Sequence, residues 1–244
     1  METKCPLVIA MPILSRSPEE ACELRASVEQ LSQHGWPMVF ADGGSTEELA
    51  SFLQTLPGAT VLSIERQPGS GLVRQVKAAL GCAEKKPSDW VLYTEPDKRW
   101  FFENQLASFV GFAMQHAQAG MILASRTASS FSTFPPVQQT TERLTNQLVG
   151  SFLELKSDFL YGPMLLRAEL IPFLTKMPDD LGWGWRIFAL VRAFRLGWPI
   201  QVFERDLPCP IHQRSEENER TRLYRVEQMA QNIRGLLAGF QSPL

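Results

Sequence analysis

The 244-residue chain is short of several features, and each shortage closes off a class of protein. Its four cysteines, Cys5, Cys22, Cys82 and Cys209, lie far apart and form no CxxC pair. That spacing argues against a disulfide framework or a cysteine-bound zinc, and it suits reduced thiols in a cytoplasmic protein. Charge of one sign is also lacking: 24 Lys and Arg against 26 Asp and Glu leave a net charge of −2. No basic field favours nucleic acid, so no nucleic-acid partner is expected. Long hydrophobic runs are missing too. The most apolar long window, 106–124, is interrupted by Gln115, His116 and Gln118, a poor membrane span. The opening METKCPLVIAMP has too short an apolar run for a signal peptide. There is no internal repeat and no low-complexity block. What the chain does have is 44% hydrophobic residues, enough for a buried core and too many for disorder. A soluble cytoplasmic protein of one large or two small domains, with no integral membrane segment, is the expectation.

Strand and helix signals alternate through the first half. Apolar runs at 7–11, 38–41, 60–64, 90–93 and 121–124 read as buried strands. Between them, helices are expected over 18–34, from 45 or 46 to 54, over 72–84 and over 102–118. Ser17-Pro18-Glu19-Glu20 supplies an N-cap, a proline at the first helical position and an acidic first turn. This alternation predicts a mostly parallel α/β sheet with helices on both faces. The second half is less regular. The stretch 125–139, rich in Ser, Thr and Pro, reads as a long loop of the functional or mobile kind. A helix over 137–153 carries Leu144, Leu148 and Phe152 at helical spacing. A strand at 164–166, a short helix over 168–175, a helix over 186–196 and a strand at 200–203 follow. The C-terminal helix, 216–240, shows one apolar face through Leu223, Val226, Met229, Ile233, Leu236 and Phe240.

Ligands of such sheets bind outside the carboxyl ends of the strands. Three loops fall there: 12–17, 42–46 and 95–98. The last closes the run DWVLYTEPDKRW and places Glu95 and Asp97 two residues apart after a buried strand. Pro96 biases Glu95 toward an extended backbone, in which alternate residues face one way. Two hard oxygen donors there suit a divalent cation holding phosphates, and a polar turn is the alternative reading. Asp42, after the second strand, shares the edge with Asp97.

The order of these motifs resembles the GT-A-fold glycosyltransferases, especially the large family that includes dolichyl-phosphate mannose synthases. The resemblance runs from Leu7 to Pro208 and rests on five places. Leu7 to Pro12 looks like the first strand, whose end, at Pro12, contacts the nucleotide base. The turn Asp42-Gly43-Gly44-Ser45-Thr46 is close to the family's Asp-Asp-Gly-Ser-Thr. The segment 71–80 resembles its glycine-then-helix passage, 91–98 its strand ending in Asp-x-Asp, and 193–208 its late helix–Gly–strand passage. A weaker similarity, through Arg126, Asn146, Asp158 and Gly162, is to the acceptor side of polyprenyl-phosphate glycosyltransferases. The membrane-spanning tail of some members has no counterpart here.

The resemblance implies a sugar transfer from a UDP- or GDP-linked donor to a small-molecule or lipid-phosphate acceptor, with Mg²⁺ or Mn²⁺ on the diphosphate. It divides the chain into a nucleotide-sugar-binding half, 1–124, an acceptor-side half of the same domain, 125–215, and a C-terminal amphipathic helix, 216–244. Asp42 would take the base or ribose, with Arg66, Arg74, Lys77 and Lys98 near base or phosphates. Asp97 would hold the metal, joined by Glu95, where Asp is commoner, and by His212. Gly182-Trp183-Gly184-Trp185 resembles a Gly-Trp-Gly acceptor segment, with Trp183, Trp185 and Arg126 toward the acceptor. An acid often follows that segment as catalytic base; Arg186 stands there instead and suits an anionic acceptor. Asp179 or Asp180 is a substitute base for a hydroxyl. Two competing classes remain. A sugar nucleotidyltransferase would carry a glycine-rich basic loop after the first strand, where this chain has Pro12-Ile13-Leu14-Ser15-Arg16. A non-catalytic nucleotide- or sugar-binding protein would tolerate the Glu95 and Arg186 departures.

Overall fold

The computed structural model describes residues 7–65, 71–214 and 217–243, except the side chain of His212. Arg66 therefore lies outside the described residues. Among them, the strands are β1 (Leu7–Ile13), β2 (Met38–Asp42), β3 (Ala59–Ser63), β4 (Trp90–Tyr93), β5 (Met121–Arg126), β6 (Met164–Arg167) and β7 (Ile200–Arg205). The helices are α1 (Pro18–Ser32), α2 (Glu47–Thr55), α3 (Gly71–Ala83), α4 (Arg99–Asn104), α5 (Leu106–Gln115), α6 (Ala128–Phe131), α7 (Pro136–Leu153), α8 (Ile171–Leu174), α9 (Trp185–Arg195) and α10 (Glu219–Gln241). The expected α/β class, with its mostly parallel strands and C-terminal helix, is what the chain adopts. Two compact units emerge, interleaved in sequence: Met1–Ala117 with Pro163–Asp180, and Gln118–Gly162 with Leu181–Leu244.

In the first unit the strands lie in the order β3-β2-β1-β4-β6. The first four are parallel and β6 is antiparallel to β4. Every residue of β1, β2 and β4 is buried. That is why these strands read as unbroken apolar runs rather than alternating ones. Helix α3 packs on β1 and β2. At the start of α1, Ser17 Oγ accepts from the Glu20 amide and Pro18 opens the first turn, as the sequence predicts.

β1 does not stop before Pro12 but continues through it to Ile13. The Ile9 amide donates to Pro37 O on the β2 side, while Ala10 O accepts from Thr94 at the end of β4. Backbone groups alternate sides along a strand, so the missing N–H of Pro12 falls on the β4 side, beyond the last β4 residue. No ladder bond is lost there. The helix expected over 102–118 is two helices, α4 and α5, meeting at Gln105.

In the second unit β5 and β7 pair in parallel. The stretch expected as the loop 125–139 is instead the end of β5, helix α6 and the start of α7. Its Ser and Thr hydroxyls bind backbone. Thr127 Oγ1 caps α6 at the Ser130 amide, Ser130 Oγ accepts from the Leu207 amide, and Thr133 Oγ1 accepts from the Cys209 amide. Nine consecutive residues of α9, Trp185 through Ala193, are all buried.

Of the two apolar stripes, that of α7 is exposed and that of α10 is packed only in part, at Leu236 and partly at Met229 and Phe240. Leu144, Leu148 and Phe152 of α7 stay exposed, and α7 buries Gln138, Thr141, Thr145, Val149 and Leu153 instead. Thr141 and Thr145 can be buried because their hydroxyls donate to the carbonyls of Val137 and Thr141, one turn back. On α10, Leu223, Val226 and Ile233 are likewise exposed; the helix buries Asn232, Gly235, Leu236 and Gly239. The glycines let α10 approach the 3₁₀ turn Gly182–Gly184 and α9 closely. A Cβ on Gly235 would lie 1.9 Å from Gly184 O, and one on Gly239 would lie 2.7 Å from Val191 Cβ. Gly235→Ala is expected to destabilise the fold by about 2 kcal/mol or more through that backbone clash. The check is urea unfolding of the variant beside Ala238→Gly, a half-buried control predicted to lose about 1 kcal/mol.

Candidate functional site

The donor candidates lie in the first unit, at the carboxyl ends of β1, β2 and β4. Asp42 is the last residue of β2, level with Ile13 of β1, and Glu95–Asp97 follow β4, whose Tyr93 is level with Ala10. With β1 between them, β2 and β4 run about 10 Å apart. The three loops expected on this edge are all there.

Asp42 is buried at 6% exposure. Its Oδ1 accepts from the Gly44 and Ser45 amides at 3.2 and 2.9 Å, folding the chain into a tight turn. Gly44 sits at φ +90°, open to glycine at no cost. Thr46 occupies the N-cap of α2 but makes no side-chain cap bond. It is tied to the β1 loop instead: the Thr46 amide donates to Ser15 Oγ and the Ser15 amide donates to Ser45 Oγ. Beneath both loops lies Gln75 of α3, buried. Its Nε2 donates to Ile13 O and to Ala41 O, both at 2.8 Å. Gly43 passes so close that a Cβ there would meet Gln75 Nε2 at 2.8 Å. Gln75 and Ser15 are the positioning residues that sequence reasoning missed. The available signal was a lone uncharged amide within the stripe of Val73, Val76, Ala79 and Leu80, which α3 buries.

Glu95 is buried and Asp97 half-exposed, with Lys98 Nζ 3.2 Å from Asp97 Oδ1. The Lys98 ammonium thus already neutralises the carboxylate expected to face a diphosphate. Arg74 donates to Glu65 O at 3.3 Å, at the open end of α3. Lys77 pairs with Asp179, which ties α3 to the segment leading to Asp180, an exposed residue. Pro12 is buried within β1. Among the described residues no three His, Cys, Asp or Glu side chains gather into a metal cage. The residues present fit a cation of the kind held by one or two carboxylates and completed by substrate phosphates and water. The side chain of His212 lies outside the described residues.

The acceptor candidates lie in the second unit. Arg126, at the end of β5, is almost fully buried. Its guanidinium pairs with Asp158, with Nη2 2.9 Å from Oδ1, and with Glu142, and it lies 4.3 and 4.7 Å from the rings of Phe134 and Phe131. Asn146 donates to the same Asp158 oxygen at 3.0 Å. A guanidinium this buried and engaged on this many sides has its charge spent within the protein, against the direct acceptor contact expected of Arg126. Burial drives the Asp158 carboxyl up. The Arg126 charge and the hydrogen bonds from Arg126, Asn146 and the Leu160 amide outweigh that and hold it below its ordinary value of 3.8.

Trp185 is fully buried, so it is a core residue and not the sugar platform expected of it. Trp183 is partly exposed; its Nε1 donates to Tyr224 Oη at 2.7 Å and its amide to Gln231. The Arg186 guanidinium lies 5.2 Å from the Trp183 ring and donates to Leu160 O at 3.3 Å. It borders a polar cavity of about 20 Å³ with Thr145, Arg225 and Asn232. That space is of the size that holds a single water.

No family model matches the chain, and no curated protein is similar to it in sequence. Solved structures are similar in fold. One is glucosyl-3-phosphoglycerate synthase from Mycobacterium tuberculosis, in complex with Mn²⁺, UDP and phosphoglyceric acid. It matches with a TM-score of 0.64 at 17% identity over 98% of this chain and 80% of that one. The same enzyme with Mn²⁺, UDP-glucose and glycerol 3-phosphate matches at 0.64 and 18%, over 98% and 81%. A further mycobacterial protein matches at 0.64 and 19%, over 98% and 76%. The fold of this chain is therefore the GT-A fold; identities this low speak for the fold alone.

Removing Arg126 would leave the buried Asp158 and the partly buried Glu142 without a counter-charge. Arg126→Leu is expected to cost about 3–5 kcal/mol of stability. Because the folded Asp158 value is depressed, its contribution is complete above about pH 4 and lost as pH falls through that value. Calorimetric melts between pH 7 and pH 3 should show the wild type losing more stability on acidification than Asp158→Asn.

Proposed function

We propose that the protein transfers a sugar from a nucleoside-diphosphate donor to a small anionic acceptor, with a divalent metal on the diphosphate. The observation that carries this reading is the carboxyl edge of β1, β2 and β4. There a buried Asp42, held in a turn, and the Glu95–Asp97 pair present carboxylates as a base-and-diphosphate site requires. The shared fold with an enzyme crystallised with Mn²⁺, UDP-glucose and phosphoglyceric acid supports it.

The first unit is the donor side. Asp42 Oδ1 is committed to its own turn, which leaves Oδ2 to accept from a base or ribose. Gln75 keeps the β1 and β2 loops in register beneath the nucleotide. Asp97, with Glu95 and His212, would hold Mg²⁺ or Mn²⁺, which supplies Lewis-acid stabilisation of the leaving diphosphate. Lys98 turns from Asp97 toward phosphate as the donor arrives, so that charge balance at the carboxylate is kept. Arg74 and Lys77 line the helix end nearby, and Arg66 is a further phosphate candidate.

The second unit is the acceptor side. Arg186, steadied against Trp183 and Leu160 O, supplies positive charge for a phosphate or carboxylate on the acceptor. Trp183 offers its remaining exposed ring surface. An acceptor anion of this kind fits the absence of an acid after the Gly-Trp-Gly segment, with Asp180 the candidate base if a hydroxyl must be deprotonated. A lipid phosphate, the acceptor of the dolichyl-phosphate mannose synthase family, is the finer alternative within the same chemistry. Among the described residues no helix is long and apolar enough to cross a membrane. Cys22 and Cys82 carry free thiols, which suits a reducing cytoplasm.

The test is transfer from UDP-glucose, with GDP-mannose in parallel, to 3-phosphoglycerate or glycerol 3-phosphate, with and without Mn²⁺. Asp97→Asn is expected to lower turnover by about 10²–10³-fold and to leave the melting temperature near that of the wild type. Undiminished turnover in that variant, or in excess chelator, would remove the metal from the account. Pyrophosphate release from a nucleoside triphosphate and a sugar phosphate would instead mark a nucleotidyltransferase.

A further inference from the structure

The apolar stripe on α10 needs an occupant. It runs Leu223, Val226, Ala230, Ile233, Leu237 and Phe240, with spacings of three and four residues in strict alternation. This is a heptad seam of the kind that receives another helix. The seam faces away from the body of its own unit, because α10 buries the opposite side. Leu223, Val226, Ile233 and Leu237 are exposed, from 36% at Ile233 to 64% at Leu223, and Phe240 is half-buried. α7 lies alongside in the same direction. The Val137 amide at its start donates to Glu217 just before α10, and Phe152 near its end meets the Phe240 ring at 5.5 Å. The exposed stripe of α7, Leu144, Leu148 and Phe152, therefore continues the seam sideways into one apolar face.

We propose that this face pairs two copies of the chain about a two-fold axis, with α10 antiparallel to α10 and α7 antiparallel to α7. The spacing itself carries the choice. The series is a palindrome, so an antiparallel two-fold sets Leu223 opposite Phe240, Val226 opposite Leu237 and Ala230 opposite Ile233. Large residues meet smaller ones, and no stripe residue is left without a counterpart. The same axis acts on α7. The exposed Leu144, Leu148 and Phe152 of one α7 then lie against those of the other.

Charge agrees with the register. Glu227 and Arg234 sit on the flank of the seam away from α7 and pair within the chain at 2.9 Å. The two-fold brings Glu227 of one copy beside Arg234 of the other, making a closed four-charge group at the rim. The two helices also carry exposed Arg143, Arg220 and Arg222, so the vesicle arm of the test, and not the rim charge, separates a second copy from an anionic membrane surface. Size agrees as well. A 23-residue helix is about 34 Å long. α7, with 18 residues, adds about 27 Å, so the two helices give a face of roughly 600 Å², at the lower end of what each partner contributes to a stable interface.

Sedimentation velocity between about 1 and 100 μM tests this, with vesicle co-sedimentation alongside. The expected result is a species of twice the 27.5 kDa chain mass. Val226→Asp with Leu237→Asp, both at exposed positions, should give a monomer with an unchanged circular dichroism spectrum. Glu227→Arg should weaken the dimer about tenfold, and adding Arg234→Glu to it should restore the affinity. A wild type that is monomeric throughout the range overturns the proposal, as does a folded Asp variant that stays dimeric. Binding of the monomer to phosphatidylcholine–phosphatidylglycerol vesicles, lost in the Asp variant, would assign the face to a membrane surface and overturn it too.

Discussion

One buried amide fixes the geometry on which the donor side depends. Gln75 reaches from α3 to the last carbonyls of β1 and β2, where the ladder is ending and both loops begin. Ile13 O also accepts from the Gly43 amide at 2.9 Å, so Gln75 adds a second bond to that carbonyl and one to Ala41 O, each contributing about 0.5–1.5 kcal/mol. A side chain satisfying both at once makes one orientation of the two loops far better than any other. Ser15, Ser45 and Thr46 then lace the loops together from above, and Asp42 closes its own turn. The carboxylate edge is thus preorganised by backbone accounting, and the ligand-facing atoms are what is left over. Glycine at 43 follows from the same clamp, because any side chain there would occupy the space of the amide.

The second unit solves a different problem. Its centre is polar: Arg126, Asp158, Glu142, Thr141, Thr145 and Asn232 are buried or partly buried together. A core of this kind is stable only when its charges are paired and its hydroxyls are spent on backbone, and here they are. The consequence reaches outward. α7 and α10 turn polar or glycine-rich sides inward, and their apolar sides are left facing out. A chain that bound its arginine this way has apolar surface to offer a second copy.

The strands were legible because each is a run of apolar residues with buried surface on both sides, a signal that needs no tertiary knowledge. β4 appears where its four residues predict it, and the strand–helix alternation gave the class. Helix faces were less legible. The periodicities on α7 and α10 are real, but periodicity reports amphipathicity and not which side the fold will bury. The sequence shows Thr141 and Thr145 only as polar residues; that their hydroxyls can bind back to the helix and be buried depends on what lies opposite. In the site, Asp42 and Asp97 could be placed on one edge from strand order alone. Gln75 could not, since its two acceptors lie 62 and 34 residues away. Arg126 and Trp185 were assigned to the acceptor by resemblance, and their burial is decided by long-range partners that a local pattern does not contain.

The central claim is that the edge formed by Asp42 and Asp97 receives a nucleoside diphosphate together with a divalent cation. Amide NMR with trace Mn²⁺ tests it most directly, because paramagnetic broadening reports which residues lie near the ion. In the presence of UDP the amides of Gly43, Gly44, Ser45, Glu95, Asp97 and Lys98 should broaden, with far less effect from Mn²⁺ alone. Broadening confined to other segments, or none that depends on the nucleotide, would contradict the account.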